Sequence, residues 1–334
     1  MRHINIPIFI PHLGCLNDCV FCNQRSISGK TAFCEENIDV DIEAVLSTCS
    51  AEDEAEIAFF GGSFTAIERE LMISLLEIGR SYMNEGKVAA LRCSTRPDAI
   101  TPEILDILRQ YGMKTIEIGV QSMSDAVLLK SKRGHTAQES VRACALIREY
   151  GFSLVCQMML GLPGATLTDE VETAKAIVSL GACAVRIYPT VVFRESELCQ
   201  MAMDGKYSPL TEDEAVTRGA DVLRIFVDAG IPVIRIGLCA SENLSSPDSV
   251  FGGANHPALG ELILGELYYN KMCDLLQAAD TDATEICFAV NYGALSLAVG
   301  HKKKNKKRLL DKIAPRRIRF VEDELLHGEI VSLR

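Results

Sequence analysis

No apolar run in the 334 residues reaches the roughly 20 needed to cross a bilayer, so neither a spanning helix nor a membrane partner is expected. The first residues carry one early arginine and a short apolar stretch. They lack a full hydrophobic region and a small-residue cleavage site, which predicts no secretory leader and a cytoplasmic location. A basic surplus is also missing: the formal net charge of −11 excludes a surface that is basic all round. Low-complexity linkers and internal sequence repeats are absent. Cysteine is plentiful at 13, but a second Cys-x-x-Cys is lacking. Most of the thiols stand singly in apolar runs, as Cys156 and Cys287 do, and so read as reduced, buried, small hydrophobes rather than a disulfide framework.

What is present is a rhythm. Six strand-like apolar runs, at 4–10, 56–60, 89–94, 115–120, 153–160 and 184–192, alternate with amphipathic helical stretches. In 101–111, for example, Ile104, Leu105, Ile107 and Leu108 share a face behind a Thr101-Pro102 start signal. Strand, helix, strand in this order predicts βα repeats around a parallel sheet buried on both faces. Six units fall short of a closed eightfold barrel. The predicted fold is therefore α/β, a partial (βα)6 TIM-like barrel, with a flat doubly wound sheet as the alternative. After residue 192 the rhythm changes: a helix over 211–229, a strand over 231–236, a loop over 241–255, a long helix over 256–279, and strands over 283–290 and 318–322. This divides the chain into a barrel core at 1–237 and a smaller C-terminal α/β extension at 238–334.

Three cysteines break the solitary pattern. Cys15, Cys19 and Cys22 fall within eight residues directly after the first strand run, where a βα barrel carries its chemistry. Soft thiolates at this spacing suit an iron–sulfur cluster, and three ligands leave one iron open to a substrate or cofactor. Zinc, with His12 as a fourth ligand, and a grouping of purely structural thiols are the alternatives. Further polar or glycine clusters follow the later strand runs. Gly61-Gly62-Ser63 would let a ligand approach the backbone. Ser94-Thr95-Arg96-Pro97-Asp98 reads either as a helix cap or as a contact. Gln121 ends a buried strand, where an unsatisfied amide is costly. Arg133 suits bidentate capture of a carboxylate, or a surface ion pair. Arg186-Ile187-Tyr188-Pro189-Thr190 closes the series; Arg186 and Tyr188 would face the barrel mouth as catalytic candidates, or pack as an ordinary ion pair and core-edge aromatic.

Cys-x-x-x-Cys-x-x-Cys with Phe21 before the last cysteine resembles the signature of the radical S-adenosylmethionine (SAM) superfamily. The resemblance implies a 4Fe-4S cluster whose open iron binds SAM, reductive cleavage of SAM to methionine and a 5′-deoxyadenosyl radical, and an electron donor such as flavodoxin or ferredoxin. It implies SAM contacts at Phe21, Gly61, Gly62 and Ser63, and at Ser94, although some relatives carry a carboxylate there. Gln121 and Arg133 are similar in identity and interval to SAM-binding positions of the oxygen-independent coproporphyrinogen oxidase, with Arg133 on the methionyl carboxylate. Gln157, where that oxidase has an aspartate, would contact ribose or adenine, and Leu160 would pack beside the adenine.

Arg96-Pro97-Asp98 and Arg186-x-Tyr188-Pro189-Thr190 resemble segments of the Elongator catalytic subunit, which has lysine at the position of Arg186. That subunit spaces its cysteines more widely and carries an acetyltransferase domain, for which no acetyl-CoA loop is recognisable here. The likeness runs from about residue 4 to 236 and makes tRNA a candidate substrate. Lys302 to Arg319 adds ten Lys or Arg against one acid, a local +9 that leaves −20 elsewhere. Such a segment suits a polyanion such as RNA, or a solvated face against an acidic domain. Two other readings compete: a tetrapyrrole-type radical SAM oxidase, and a non-catalytic iron–sulfur or zinc protein that binds RNA.

Overall fold

The computed structural model describes residues 2–10, 13–15, 19–23, 33, 35–50, 52–238, 246–279, 284–313, 317–324, 326 and 330–333. Its strands are β1 (His3–Phe9), β2 (Glu54–Phe60), β3 (Ala90–Thr95), β4 (Met113–Gln121), β5 (Ser153–Leu160), β6 (Ala184–Pro189), β7 (Val191–Phe193), β8 (Val233–Ile236), β9 (Val250–Gly253), β10 (Glu285–Asn291), β11 (Arg317–Asp323) and β12 (Val331–Leu333). Its helices are α1 (Ile38–Leu46), α2 (Arg69–Asn84), α3 (Pro102–Gln110), α4 (Asp125–Lys130), α5 (Ala137–Glu149), α6 (Leu167–Ser179), α7 (Glu197–Met203), α8 (Glu212–Asp228), α9 (Leu259–Ala278), α10 (Leu295–Val299) and α11 (Lys304–Ile313).

Threonines start the principal helices, as the sequence signal at Thr101 promises. Thr101 accepts the Ile104 N–H, and Thr136, Thr166 and Thr211 each close a capping box. Each such helix returns the chain to the next parallel strand, giving a seven-stranded sheet in the order β1-β2-β3-β4-β5-β6-β8. It curls into a partial barrel whose edge strands, β1 and β8, do not pair with each other. The expected partial barrel is thus present, with seven strands rather than six. Ile57, Leu91, Ile116, Ile118, Leu154 and Cys156 are wholly buried between sheet and helices. The solitary Cys156 therefore fills core space.

Two expectations need correction. The run 184–192 is not one strand. It breaks at Thr190, whose N–H and Oγ1 both bond the Leu160 carbonyl, and Val191–Phe193 then leaves the barrel sheet. It pairs antiparallel with Val250–Gly253, inside the stretch expected to be a loop. Glycine content hid β9: Gly253 has φ of 96° and its α-carbon side packs on the Thr190 backbone, where a Cβ would lie 2.4 Å from the carbonyl oxygen. Residues 241–245 of that stretch lie outside the described residues.

The C-terminal part contains a three-stranded sheet ordered β11-β10-β12, its edge strand β12 too short to leave a sequence signal. Helix α9 serves two cores. Leu259, Ile263 and Leu267 join the barrel core, while Tyr268 and Met272 pack with Phe288, Leu309 and Ile318. None of the helices among the described residues is long and apolar enough to cross a membrane.

Candidate active site

The chain leaving β1 is laid directly on the chain leaving β2. Ile10 N–H donates to the Phe60 carbonyl at 2.7 Å, and Ser63 N–H donates to the Leu13 carbonyl at 3.1 Å. Only glycine allows this approach: a Cβ on Gly62 would lie 2.3 Å from the Leu13 oxygen, and one on Gly14 would lie 2.3 Å from the Ser63 oxygen. Cys15 Sγ thereby comes within 3.7 Å of Ser63 Oγ. Further on, Val20 N–H bonds the Ser131 carbonyl and Leu198 N–H bonds the Val20 carbonyl, threading the segment between the β4–α5 connection and α7. Cys22 N–H turns back onto the Cys19 carbonyl at 2.9 Å, and half-buried Phe21 packs with Val20, Val192 and Leu198. Cys19 is buried, and Arg133 Nη1 donates to its sulfur at 3.5 Å. Among the described residues, no three His, Cys, Asp or Glu side chains are grouped to share a metal ion. Residues 16–18 and His12 lie outside the described set.

Strand β4 delivers the next groups. Its register shifts between Gly119 and Gln121, and Gln121 takes a left-handed φ of 63°, a conformation that costs a non-glycine residue about 1 kcal/mol or more. Gln121 is buried and its Oε1 has no partner among the described residues. Arg133 Nη2 donates to the Gly119 carbonyl at 3.1 Å, while its buried Nε is likewise unpartnered. Arg96 braces this arginine from behind. It is 1% exposed, donates through Nη2 to the Arg133 carbonyl and pairs through Nε with Asp98 at 2.7 Å. Arg96 therefore does more than cap a helix.

His135 closes the layer, with Nε2 facing the Val120 carbonyl at 3.3 Å. Burial, reinforced by the Arg133 charge, pushes its pKa down to about 4 from an ordinary 6.5. The folded state thus keeps His135 neutral where the unfolded chain protonates, so its stabilising contribution is complete above pH 6.5 and fades as pH falls toward 4. The difference is worth about 2 kcal/mol by pH 5. Urea midpoints at pH 7 and pH 5 should show this loss in the wild-type chain, and His135→Gln should shed most of it.

Below this layer the sheet interior holds a chain of buried charges. Glu117, wholly buried on β4, accepts Arg92 Nη1 at 2.9 Å, Arg186 Nη2 at 3.1 Å and Gln157 Nε2 at 3.1 Å. Arg186 Nε also lies 2.8 Å from Glu117 Oε2. Arg92 extends the chain to Glu56 at 3.1 Å, and Glu56 meets His3 at 3.4 Å. Arg186 lies across the lumen over the Phe60 ring, 5.6 Å from its centroid, joining β6 to β2. Burial raises the pKa of Tyr188, and the Arg186 charge opposes that rise. Ser94 sits beside Glu117 in the β3–β4 register. Leu160 points into the main core and its carbonyl is taken by Thr190.

The structure therefore brings Cys15 to Ser63, Cys19 to Arg133, and Gln157 to Arg186 and Tyr188 through Glu117. The sequence reading missed Glu56, Arg92, Glu117 and His135. The available signal was period-two polarity: Glu54 and Glu56, Arg92 and Ser94, Thr115 and Glu117 each alternate with buried apolar residues.

Comparison with known proteins adds to this geometry. The sequence model of the Radical SAM superfamily matches residues 9–177, half of the chain, and that of the Radical_SAM C-terminal domain matches 183–269. The chain belongs to the radical SAM superfamily. An uncharacterized protein of Methanocaldococcus jannaschii is 29% identical over 65% of this radical SAM chain and 70% of its own length. The tRNA uridine(34) acetyltransferase of Methanocaldococcus infernus is 28% identical over 49% of this chain and 34% of that protein. Human Elongator complex protein 3 is 26% identical over 73% and 47%. The chain thus spans about a third to a half of the lengths of these two named relatives. In fold, it is similar to archaeal Elp3 from M. infernus with an N-terminal deletion (TM-score 0.60, 20% identity, covering 81% of this chain and 68% of that one). It also resembles anSMEcpe with bound AdoMet (TM-score 0.51, 16% identity, 70% and 63%).

Proposed function

We propose that this radical SAM enzyme binds a 4Fe-4S cluster through Cys15, Cys19 and Cys22, binds SAM beside it, and acts on tRNA. The observation that carries the reading is the convergence at one end of the sheet: the cysteine segment, the Gly62–Ser63 backbone and the Gln121–Arg133 pair meet there. The donor chemistry fits such groups. Three soft thiols lie on one short segment, and two buried polar atoms beside it, Gln121 Oε1 and Arg133 Nε, have no partner among the described residues.

When bound, the reduced cluster would supply one electron to SAM, from a donor of the flavodoxin or ferredoxin class, yielding methionine and a 5′-deoxyadenosyl radical. The chain's own work is to hold and aim. Arg133, braced by Arg96, would take the methionyl carboxylate. Gly61, Gly62 and Ser63 would offer backbone to the amino group, and Phe21 would wall the site. Ser94, Gln157 and the backbone at Leu160 would line the nucleoside side. Gln157 spends one of its two N–H donors on Glu117, which leaves its carbonyl free to accept from a ribose hydroxyl or an adenine amine. Arg186 and Tyr188 would meet the substrate from the lumen floor. In this reading 1–237 forms the catalytic core and 238–334 a substrate-facing extension.

The basic segment supports the choice of tRNA. Arg308 is committed to Glu266 and the Tyr269 ring, and Lys304 meets Asp213. Lys302, Lys303, Lys306, Lys307, Arg317 and Arg319 have no carboxylate partner among the described residues. Lys302 and Lys303 also hold left-handed φ values of 50° and 62°, shortly before buried Asn305, which donates to the Gly265 and Ala298 carbonyls. Free cations held at a conformational cost suit phosphates. The test is tRNA-dependent SAM consumption, together with filter binding of a tRNA transcript across salt concentrations. Affinity should fall steeply as salt rises, and the slope of log affinity against log salt should drop by about 2 to 3 when Lys302, Lys303, Lys306 and Lys307 are changed to Ala. A salt-independent affinity would count against the polyanion reading.

A further inference from the structure

Away from the lumen, a cavity of about 160 Å³ opens at the barrel rim, between the loop after β5 and the segment joining α7 to α8. Its floor is apolar, formed by buried Leu162 and Leu210. Its walls carry Lys206, Ser208 and Arg218. Arg218 meets the buried carboxylate of Glu170 by one contact, Nη1 to Oε1 at 3.2 Å, leaving most of its five N–H donors for the cavity side. Among the described residues Lys206 pairs with Asp204 alone, at 2.9 Å between two solvent-accessible groups, a contact that exchanges at little cost. A third cation, Lys130, has no carboxylate partner among the described residues. It lies over Gly164, with Nζ 2.6 Å from where a Cβ would sit there. Two cations thus line a small hollow, each against one carboxylate, and a third, Lys130, stands beside the lining residue Gly164. The hollow is rigid as well as positive. Tyr207 Oη donates to the Gly161 carbonyl at 2.7 Å, and Gly161 N–H donates to Glu170 Oε1 at 2.7 Å, pinning the loop from both sides.

We propose that this rim cavity is a phosphate-binding site. Its size decides the class of ligand. A cavity of roughly 150 Å³ holds a benzene-sized body, which seats a tetrahedral oxyanion while any group esterified to it stays outside the hollow. Its chemistry agrees: the Arg218 fork, the Lys206 ammonium and the Ser208 hydroxyl line it, with the Lys130 ammonium beside Gly164, and these are donors that phosphate oxygens take. The phosphate is either a free or terminal group or a bridging phosphodiester of a nucleic-acid chain crossing the rim. The assignment does not depend on the cluster.

The experiment uses the full chain, titrated by calorimetry with inorganic phosphate at ionic strength held constant with chloride. Parallel arms use a nucleoside 5′-monophosphate and a dinucleoside monophosphate. Saturable binding of phosphate is expected, weakened by about tenfold or more in the Lys130→Ala, Lys206→Ala double variant. Both lysines are exposed, so the variant should keep its phosphate-free thermal midpoint and its release of 5′-deoxyadenosine. Equal binding of the phosphodiester would identify a nucleic-acid backbone as the source. Binding confined to phosphate and the monoester would identify a free or terminal group. Absence of saturable binding in all arms, or an affinity unchanged by the double substitution, would overturn the proposal, the latter leaving non-specific charge attraction only.

Discussion

Cys19→Ala is expected to abolish both the iron–sulfur absorbance of the anaerobically reconstituted protein and its cleavage of SAM, while leaving the fold intact. Cys19 is the buried member of the trio and the one that Arg133 touches. Its loss would remove one of three ligands from a cluster that has no protein ligand to spare. The structural effect should be small. The turn at this point rests on backbone bonds, Cys22 N–H to the Cys19 carbonyl and Val20 N–H to the Ser131 carbonyl, which alanine preserves. Cys93→Ala is the matched control. Cys93 is also fully buried, but it lies within β3 in the main core, where burial raises its thiol pKa and keeps it protonated. That variant should lose a little stability to the cavity and keep all of its iron. Iron content, visible absorbance and 5′-deoxyadenosine from both variants check the contrast. A Cys19 variant with full iron and full turnover would remove this residue from the ligand set.

The second large effect is on stability. Glu117→Gln should destabilise the chain by about 3–5 kcal/mol, because it leaves Arg92 and Arg186 facing each other in the sheet interior without their shared counter-charge. Glu56 can still partner Arg92, so Arg186 bears most of the loss. Removing that charge as well, in the Glu117→Gln, Arg186→Gln double variant, should return part of the stability, a coupling that a double-mutant cycle in urea measures directly. Strictly additive losses would mean that the two side chains do not form a working pair. A chain of opposite charges buried in a barrel lumen adds little to folding compared with an apolar filling of the same volume. Its presence here fits a lumen kept polar for a polar occupant.

How much of this was legible beforehand follows from what each feature depends on. The parallel sheet announced itself because strands buried on both faces are largely apolar, as Ile116, Ile118 and Val120 or Leu154, Val155, Cys156 and Met158 are. The helix starts at Thr101 and Thr211 were legible because capping is local chemistry. Strand β9 was not, because its pairing depends on Gly253 fitting against Thr190, a contact between residues 63 positions apart in sequence. The site divided the same way. The cysteine trio and the Gly61-Gly62-Ser63 turn are contiguous words, and the sequence placed them on neighbouring strand ends. Glu117, Arg92 and Glu56 come from three strands, and only the stagger of the barrel brings their side chains into one chain of contacts. Their alternation with apolar neighbours marked them as facing away from the helices, but not what they would meet. Arg96 reads in sequence either as part of a helix cap or as a contact, and only the fold places its guanidinium under the Arg133 carbonyl.

The most direct test of the central claim is the release of 5′-deoxyadenosine by the anaerobically reconstituted, chemically reduced protein given SAM. The expected result is formation of 5′-deoxyadenosine and methionine in equal amounts by the wild-type chain, and none by Cys19→Ala. Absence of 5′-deoxyadenosine from wild-type protein whose cluster is shown to be intact and reduced would contradict it.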